Sequence, residues 1–87
     1  MNQVIIRDAT TLGQAIRKVR KLQGWTQVRL AGLADVSAHF LIDLEAGKPR
    51  KEIGKALQVI RALGLDLHLQ SRSDPATENP RVGPPRP

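Results

Sequence analysis

The stretch Trp25-Thr26-Gln27-Val28-Arg29-Leu30-Ala31-Gly32-Leu33-Ala34-Asp35-Val36-Ser37-Ala38-His39-Phe40-Leu41-Ile42-Asp43-Leu44-Glu45-Ala46-Gly47-Lys48 decides the fold. Thr26 is placed to cap a helix that carries Leu30, Ala31 and Ala34. Ser37 is placed to cap a second, carrying Phe40, Leu41, Leu44 and Glu45. Between them Asp35-Val36-Ser37 leaves room only for a short turn. Gly47 ends the second helix, and Pro49 prevents its continuation. Ala31 stands where the two helices would cross, and its small side chain lets their backbones approach.

Upstream, Leu12, Ile16, Val19 and Leu22 or Gln23 follow the spacing of a buried helical stripe. Thr10 or Thr11 offers the cap and Gly24 the stop. Arg17, Lys18 and Lys21 fall off that stripe, on the wet face. Trp25 is expected to cover the core edge as a hydrophobic staple beside Leu22. Downstream, a fourth helix is expected from about 51 to 63, with Ile53, Leu57, Ile60 and Leu63 inward and Gly64 closing it. Then the period changes. Leu65-Asp66-Leu67-His68-Leu69-Gln70 alternates strictly between apolar and polar, the pattern of a strand. A lone strand leaves its backbone unpaired, so it needs a partner. Val4-Ile5-Ile6 of the same chain, or the same strand of a second subunit, would serve.

Of the six prolines, five lie in the last seventeen residues. Residues 71–87 therefore read as a flexible or polyproline-like tail. The organisation expected is an extended segment over 1–10, a helical domain over 11–64, a strand over 65–70 and the tail. An 87-residue chain is one small domain, and with only Trp25 and Phe40 as aromatics its core must be Leu, Ile, Val and Ala. Cysteine is absent, which excludes disulfides, thiolate metal sites and thiol nucleophiles. Apolar stretches are short and interrupted by charge, and the first residues lack a signal-peptide core. A cytoplasmic protein with no membrane partner is expected, nucleoid-associated if it binds DNA.

The net charge of +6 is confined to the middle of the chain. Between residues 11 and 63 stand ten cations (Arg17, Lys18, Arg20, Lys21, Arg29, Lys48, Arg50, Lys51, Lys55, Arg61) against Asp35, Asp43, Glu45 and Glu52. The remainder is neutral. A confined basic block points first to nucleic acid. Two short, capped, crossed helices make the same point, because that is the helix-turn-helix design, whose second helix enters the major groove. Catalysis is not expected. Ser37 and Asp43 lie on the reading helix without a base and orienter, and no phosphate loop, metal cluster or cofactor fingerprint is present. His68 lacks a second ligand at metal-binding spacing and reads as solvated.

Leu12-Gly13, Thr26-Gln27, Leu30-Ala31, Val36-Ser37 and Leu44-Glu45-Ala46-Gly47-Lys48 together resemble the Cro/CI-type, or XRE, helix-turn-helix family. The fold implied is an all-α, lambda repressor-like bundle of four to five helices. More narrowly, His39 to Pro49 followed by Ala62-Leu63-Gly64-Leu65-Asp66-Leu67 resembles the HipB-like antitoxin branch. That resemblance implies a C-terminal β-strand pairing across a homodimer through Leu65, Leu67 and Leu69. It also implies repression of the protein's own operon at a palindromic double-stranded operator, and a HipA-type kinase toxin as partner. By position in that pattern, Gln27, Ser37, Lys48 and Arg50 would contact phosphates, and Ala38, His39 and Asp43 would face the bases. Arg20 and Glu45 match a pair that forms an internal salt bridge. Apart from the resemblance, Arg17 or Lys18 on the wet face of the first helix is expected to reach the phosphate backbone. Asp35 departs from the pattern, standing where the family usually has Gly; the turn there favours a positive φ, which Asp tolerates better than most residues. Val28 and Leu33 are apolar on a face that is usually wet. The resemblance leaves two other readings open: a toxin-neutralising subunit with little DNA binding, and a solitary repressor.

Overall fold

The first helix starts earlier than the threonines suggest. The computed structural model describes residues 4–48 and 52–71, and in it α1 spans Ala9–Leu22 with Asp8 as its N-cap. Asp8 Oδ1 accepts from the Thr11 amide at 2.9 Å, and Thr11 Oγ1 accepts in return from the amides of Asp8 (3.1 Å) and Arg7 (2.8 Å). A carboxylate suits the positive end of a helix better than a hydroxyl does, so Thr11 becomes the reciprocal partner instead of the cap. The Thr11 backbone amide, and then its hydroxyl, hold the Asp8 carboxyl below its ordinary range.

Three more helices complete the bundle: α2 (Gln27–Ala34), α3 (Ala38–Glu45) and α4 (Ile53–Ala62). The caps of α2 and α3 are the expected ones. Thr26 Oγ1 accepts from the Arg29 amide at 3.1 Å, and Ser37 Oγ from the Phe40 amide at 2.9 Å. Asp35 closes α2 in the left-handed region, at φ 61°. There its amide donates to Gly32 O and the Val36 amide to Ala31 O. Gln58 reaches across from α4 and donates to Ala34 O at 2.8 Å, so the turn between α2 and α3 is held from a third helix.

Ile16, Leu30, Leu41 and Val59, one from each helix, are fully buried. Each contributes roughly 1.5–3 kcal/mol by leaving water. Phe40, Leu44, Ile60 and Leu63 complete the centre. Two expectations about the rim need correction. Leu22 is 77% exposed; Trp25 instead packs against the core and donates from Nε1 to Gln23 Oε1 at 3.0 Å. Ile53 is 65% exposed, because α4 begins there and turns Ala56, Val59, Ile60 and Leu63 inward.

Gly13 sets the distance between α1 and α3. A Cβ at this position would lie 2.3 Å from Leu44 O and 2.7 Å from Glu45 O. No other residue permits that crossing, which brings α1 against the end of α3.

The strand expected over 65–70 is not formed. Among the described residues there is no strand, and residues 65–71 carry no regular structure, nor does Val4-Ile5-Ile6. Val4-Ile5-Ile6, the candidate partner within the chain, does not form a strand beside it, so in one copy the segment has no neighbouring backbone to pair with. Leu65 packs on its own core, whereas Leu67 and Leu69 are 54% and 97% exposed. Arg50 and, apart from Ser71, the expected tail lie outside the described residues. No helix among the described residues is long and apolar enough to cross a membrane.

Candidate nucleic-acid interface

Ser37 starts α3 at the surface, and the outer face of the helix then carries His39, Ile42 and Ala46, all exposed. Residues three and four apart share a helix face, so these side chains form one outward strip. His39 is the most prominent, with a side chain 78% exposed. Ile42, 46% exposed, lies about one turn beyond His39 on the same strip, and its side chain has the chemistry to meet a thymine methyl. Ala38 is half-buried against the core instead of facing outward.

Asp43 also differs from expectation. The resemblance puts it at the base edges, but its side chain is only 7% exposed, with Oδ2 3.3 Å from His39 Nε2 and Oδ1 3.4 Å from Lys48 Nζ. Leu44 and Glu45 beside it are buried as well, so this side of α3 is turned into the protein. Lys48 follows Gly47, which closes α3 at φ +79°. The lysine side chain stays 66% exposed beside α3.

Beneath the strip lies a buried polar network. Arg20 donates from Nε to Glu45 Oε2 at 2.6 Å and from Nη2 to Oε1 at 3.0 Å, a bidentate pair between α1 and α3. Its Nη1 donates to Trp25 O at 2.9 Å, which fixes the start of α2. Gln27 Nε2 donates to Glu45 Oε1 at 3.1 Å. A carboxamide nitrogen carries two hydrogens, so one holds Gln27 to Glu45 and the other is available to a ligand. Arg17, Gln27, Ile42 and Ala46 rim an open depression of about 320 Å³ floored by Arg20 and Glu45. Arg17, Lys18 and Lys21 are exposed. Ser37 Oγ spends a lone pair on its cap, which leaves its O–H to donate. The face therefore offers donors and cations around an apolar and imidazole strip. Among the described residues no three acidic or histidine side chains gather as a metal site would need.

A family model described as Helix-turn-helix matches residues 16–70 of the chain. Over 64 residues the chain is 45% identical to the uncharacterized HTH-type transcriptional regulator y4mF of Sinorhizobium fredii, covering 74% of this chain and 84% of that protein. Among solved structures it is similar to the restriction-modification controller protein C.AhdI from Aeromonas hydrophila, with 25% identity and a TM-score of 0.62, over 68% of this chain and 86% of the other. A complex of a HipB variant with an O2 20mer shares the fold at a TM-score of 0.74 and 23% identity, over 84% of this chain and 100% of that one. The HipA-HipB-O2-O3 complex does so at 0.72 and 23%, over 79% and 97%.

Proposed function

The chain belongs to the helix-turn-helix family, and from that membership we propose that it is a DNA-binding transcriptional repressor that serves as the antitoxin of a HipA-type toxin. The observation that carries the DNA-binding part is the outward strip of α3. His39 and Ile42 stand on a capped, exposed helix, with Arg17, Gln27, Ser37 and Lys48 around them as donors to phosphate. Arg50, two residues past Lys48, adds a further cation along the chain. In this arrangement phosphate contacts position the helix and base contacts supply the discrimination.

A homodimer is part of this reading, supported by the exposed Leu67 and Leu69, which a second copy's strand would cover while pairing the backbone. A two-fold dimer reads two half-sites about one helical turn apart, hence a palindromic operator. The antitoxin part rests on the likeness to HipB of the HipA-HipB complex, and exposed Val28 and Leu33 supply apolar surface for such a partner. The likeness to C.AhdI favours a second reading, a controller without a toxin. Co-purification from the native operon, with mass spectrometry, separates the two.

Binding isotherms on the duplex upstream of the protein's own reading frame, against a scrambled duplex at several salt concentrations, test the DNA-binding part. Lys48→Ala should weaken both duplexes alike and reduce the salt slope by about one unit. His39→Ala should cost about 1–3 kcal/mol on the specific duplex and almost nothing on the scrambled one. Absence of salt-dependent binding to either duplex would leave the toxin-neutralising reading in its place.

A further inference from the structure

A buried carboxylate stands directly behind the exposed start of the reading helix. Asp43 is one turn after His39 on α3 and 5% exposed. Its two oxygens address two different side chains: Oδ2 faces His39 Nε2 at 3.3 Å, and Oδ1 faces Lys48 Nζ at 3.4 Å. The outer parts of both remain in water. The Asp43 carbonyl also accepts from the Lys48 amide at 3.1 Å, so the loop after α3 is tied to the same residue through its main chain.

The energetics of this arrangement point away from stability. Ion pairs whose cationic partner is exposed contribute little to folding, because holding a long side chain costs entropy and water screens the charge. Burying a carboxylate carries a desolvation cost that pairing only offsets. The contacts of Asp43 with His39 and Lys48 are therefore, by themselves, a weak source of helix stability. They are an effective way to restrict rotamers. The anchor is already ordered by burial, and each partner loses freedom before any ligand arrives, which lowers the ordering cost of binding. Direct contact with a base is the poorer role for this carboxylate. It is turned inward, and at the surface it would repel phosphate.

We infer that Asp43 is a positioning residue for DNA recognition: without touching DNA, it holds His39 toward the base edges and Lys48 toward the phosphate backbone. The inference rests on α3 being the groove-reading helix. One buried group thus couples a residue that discriminates to a residue that anchors.

The test is selection of bound duplexes from a library with a randomised central segment, using the full chain. Affinities on the selected and a scrambled duplex are then measured for the wild type, Asp43→Asn, His39→Ala and the double variant. Asp43→Asn keeps the shape of the side chain and removes its charge. It should weaken the selected duplex about tenfold, the scale of one lost base contact, and the scrambled duplex by a smaller factor, the share that passes through Lys48. It should relax the same base position that His39→Ala relaxes, and add less than about twofold at that position when His39 is already Ala. A purely structural role gives a different result, namely equal losses on both duplexes with a lowered melting temperature, and overturns the inference. Selection by Asp43→Asn identical to the wild type's overturns it too and leaves α3 as the reader. A wild type that enriches no sequence overturns the groove reading itself. A readout without any variant is the His39 χ1 from three-bond couplings in the free protein. One dominant rotamer is expected, and averaging over several refutes the positioning role.

Discussion

Gly13→Ala sets two physical effects against each other at one atom. Inside an exposed helix the change gains about 0.8–1.0 kcal/mol from backbone entropy and propensity. Here the new methyl would start 2.3 Å from Leu44 O and 2.9 Å from the Glu45 carbonyl carbon, both backbone atoms. Real Cβ contacts essentially never fall below 3.0 Å, so α1 and α3 must separate by roughly 0.7 Å or more. Overpacking of this kind costs about 1–3 kcal/mol. The shift also stretches the 2.6 Å contact between Arg20 and Glu45, which spans the same two helices. The net expectation is a loss of about 1–2 kcal/mol, a melting temperature lower by roughly 5–15 °C for a domain of this size. Gly32→Ala is the matched control, since a Cβ there meets nothing within 4 Å. It should gain about 0.5–1 kcal/mol. Urea denaturation with a common m-value, together with thermal melts, measures both. A Gly13→Ala protein as stable as the Gly32→Ala protein would show that the crossing adjusts freely, and the close approach would lose its role in setting the site.

Glu45→Ala leaves Arg20, a residue 7% exposed, without its carboxylate and should cost about 3–5 kcal/mol, while Arg20→Met with Glu45→Leu should be far milder; a single-variant loss below about 1 kcal/mol in urea melts refutes this. Asp8→Ala should lower the melting temperature, and the sign of its pH dependence follows from the lowered carboxyl pKa. The contribution of Asp8 is complete above the ordinary value near 3.9 and is lost as pH falls through the lower folded-state value, so the two melting curves should converge in acid and stay parallel from about pH 5 upward. Leu67→Lys should shift sedimentation from dimer to monomer; a variant that still sediments as a dimer removes residues 65–70 from the interface.

The parts of the fold legible in the sequence are those decided within a few residues. Thr26 and Ser37 cap their helices because a hydroxyl three residues before an amide is a local geometry. Asp35 takes a positive φ for the same kind of reason. Arg20 with Glu45 is legible only by resemblance, since nothing in their separation along the chain announces a bidentate contact. Helix rims are less legible, since Leu22 and Ile53 satisfy the apolar period and yet stand past the edge of the core. Gln58 is invisible in the sequence, because its role exists only where α4 passes the end of α2. Asp43 is the instructive residue at the site. Its spacing puts it near the groove face, but helical drift over one turn is enough to carry its carboxylate behind that face. The 65–70 alternation is a pattern whose fulfilment needs a second backbone, and Val4-Ile5-Ile6, the candidate within the chain, does not supply it.

The acids of the middle block explain how a modest net charge becomes a directional one. Asp43 and Glu45 are both buried, and Glu45 spends its charge on Arg20. Glu52 pairs with Lys55 at 3.1 Å, at the start of α4. Arg17, Lys18, Lys21 and Arg29 remain exposed, as does most of Lys48. Screening reduces a charge's reach to about 8–10 Å in physiological salt, so an approaching phosphate responds chiefly to the nearest exposed groups. Most of those groups are cations, with Asp35 and the Lys55-paired Glu52 as the acids of this block at the surface, whereas Asp43 and Glu45 lie inside. The carboxylates of Asp43 and Glu45, which hold α1, α2 and the post-α3 loop around α3, are thereby largely kept out of the field an approaching anion meets. Removing their charges is therefore expected to act on DNA binding through the placement of Gln27, His39 and Lys48, with the electrostatic gain from losing an acid as the smaller effect.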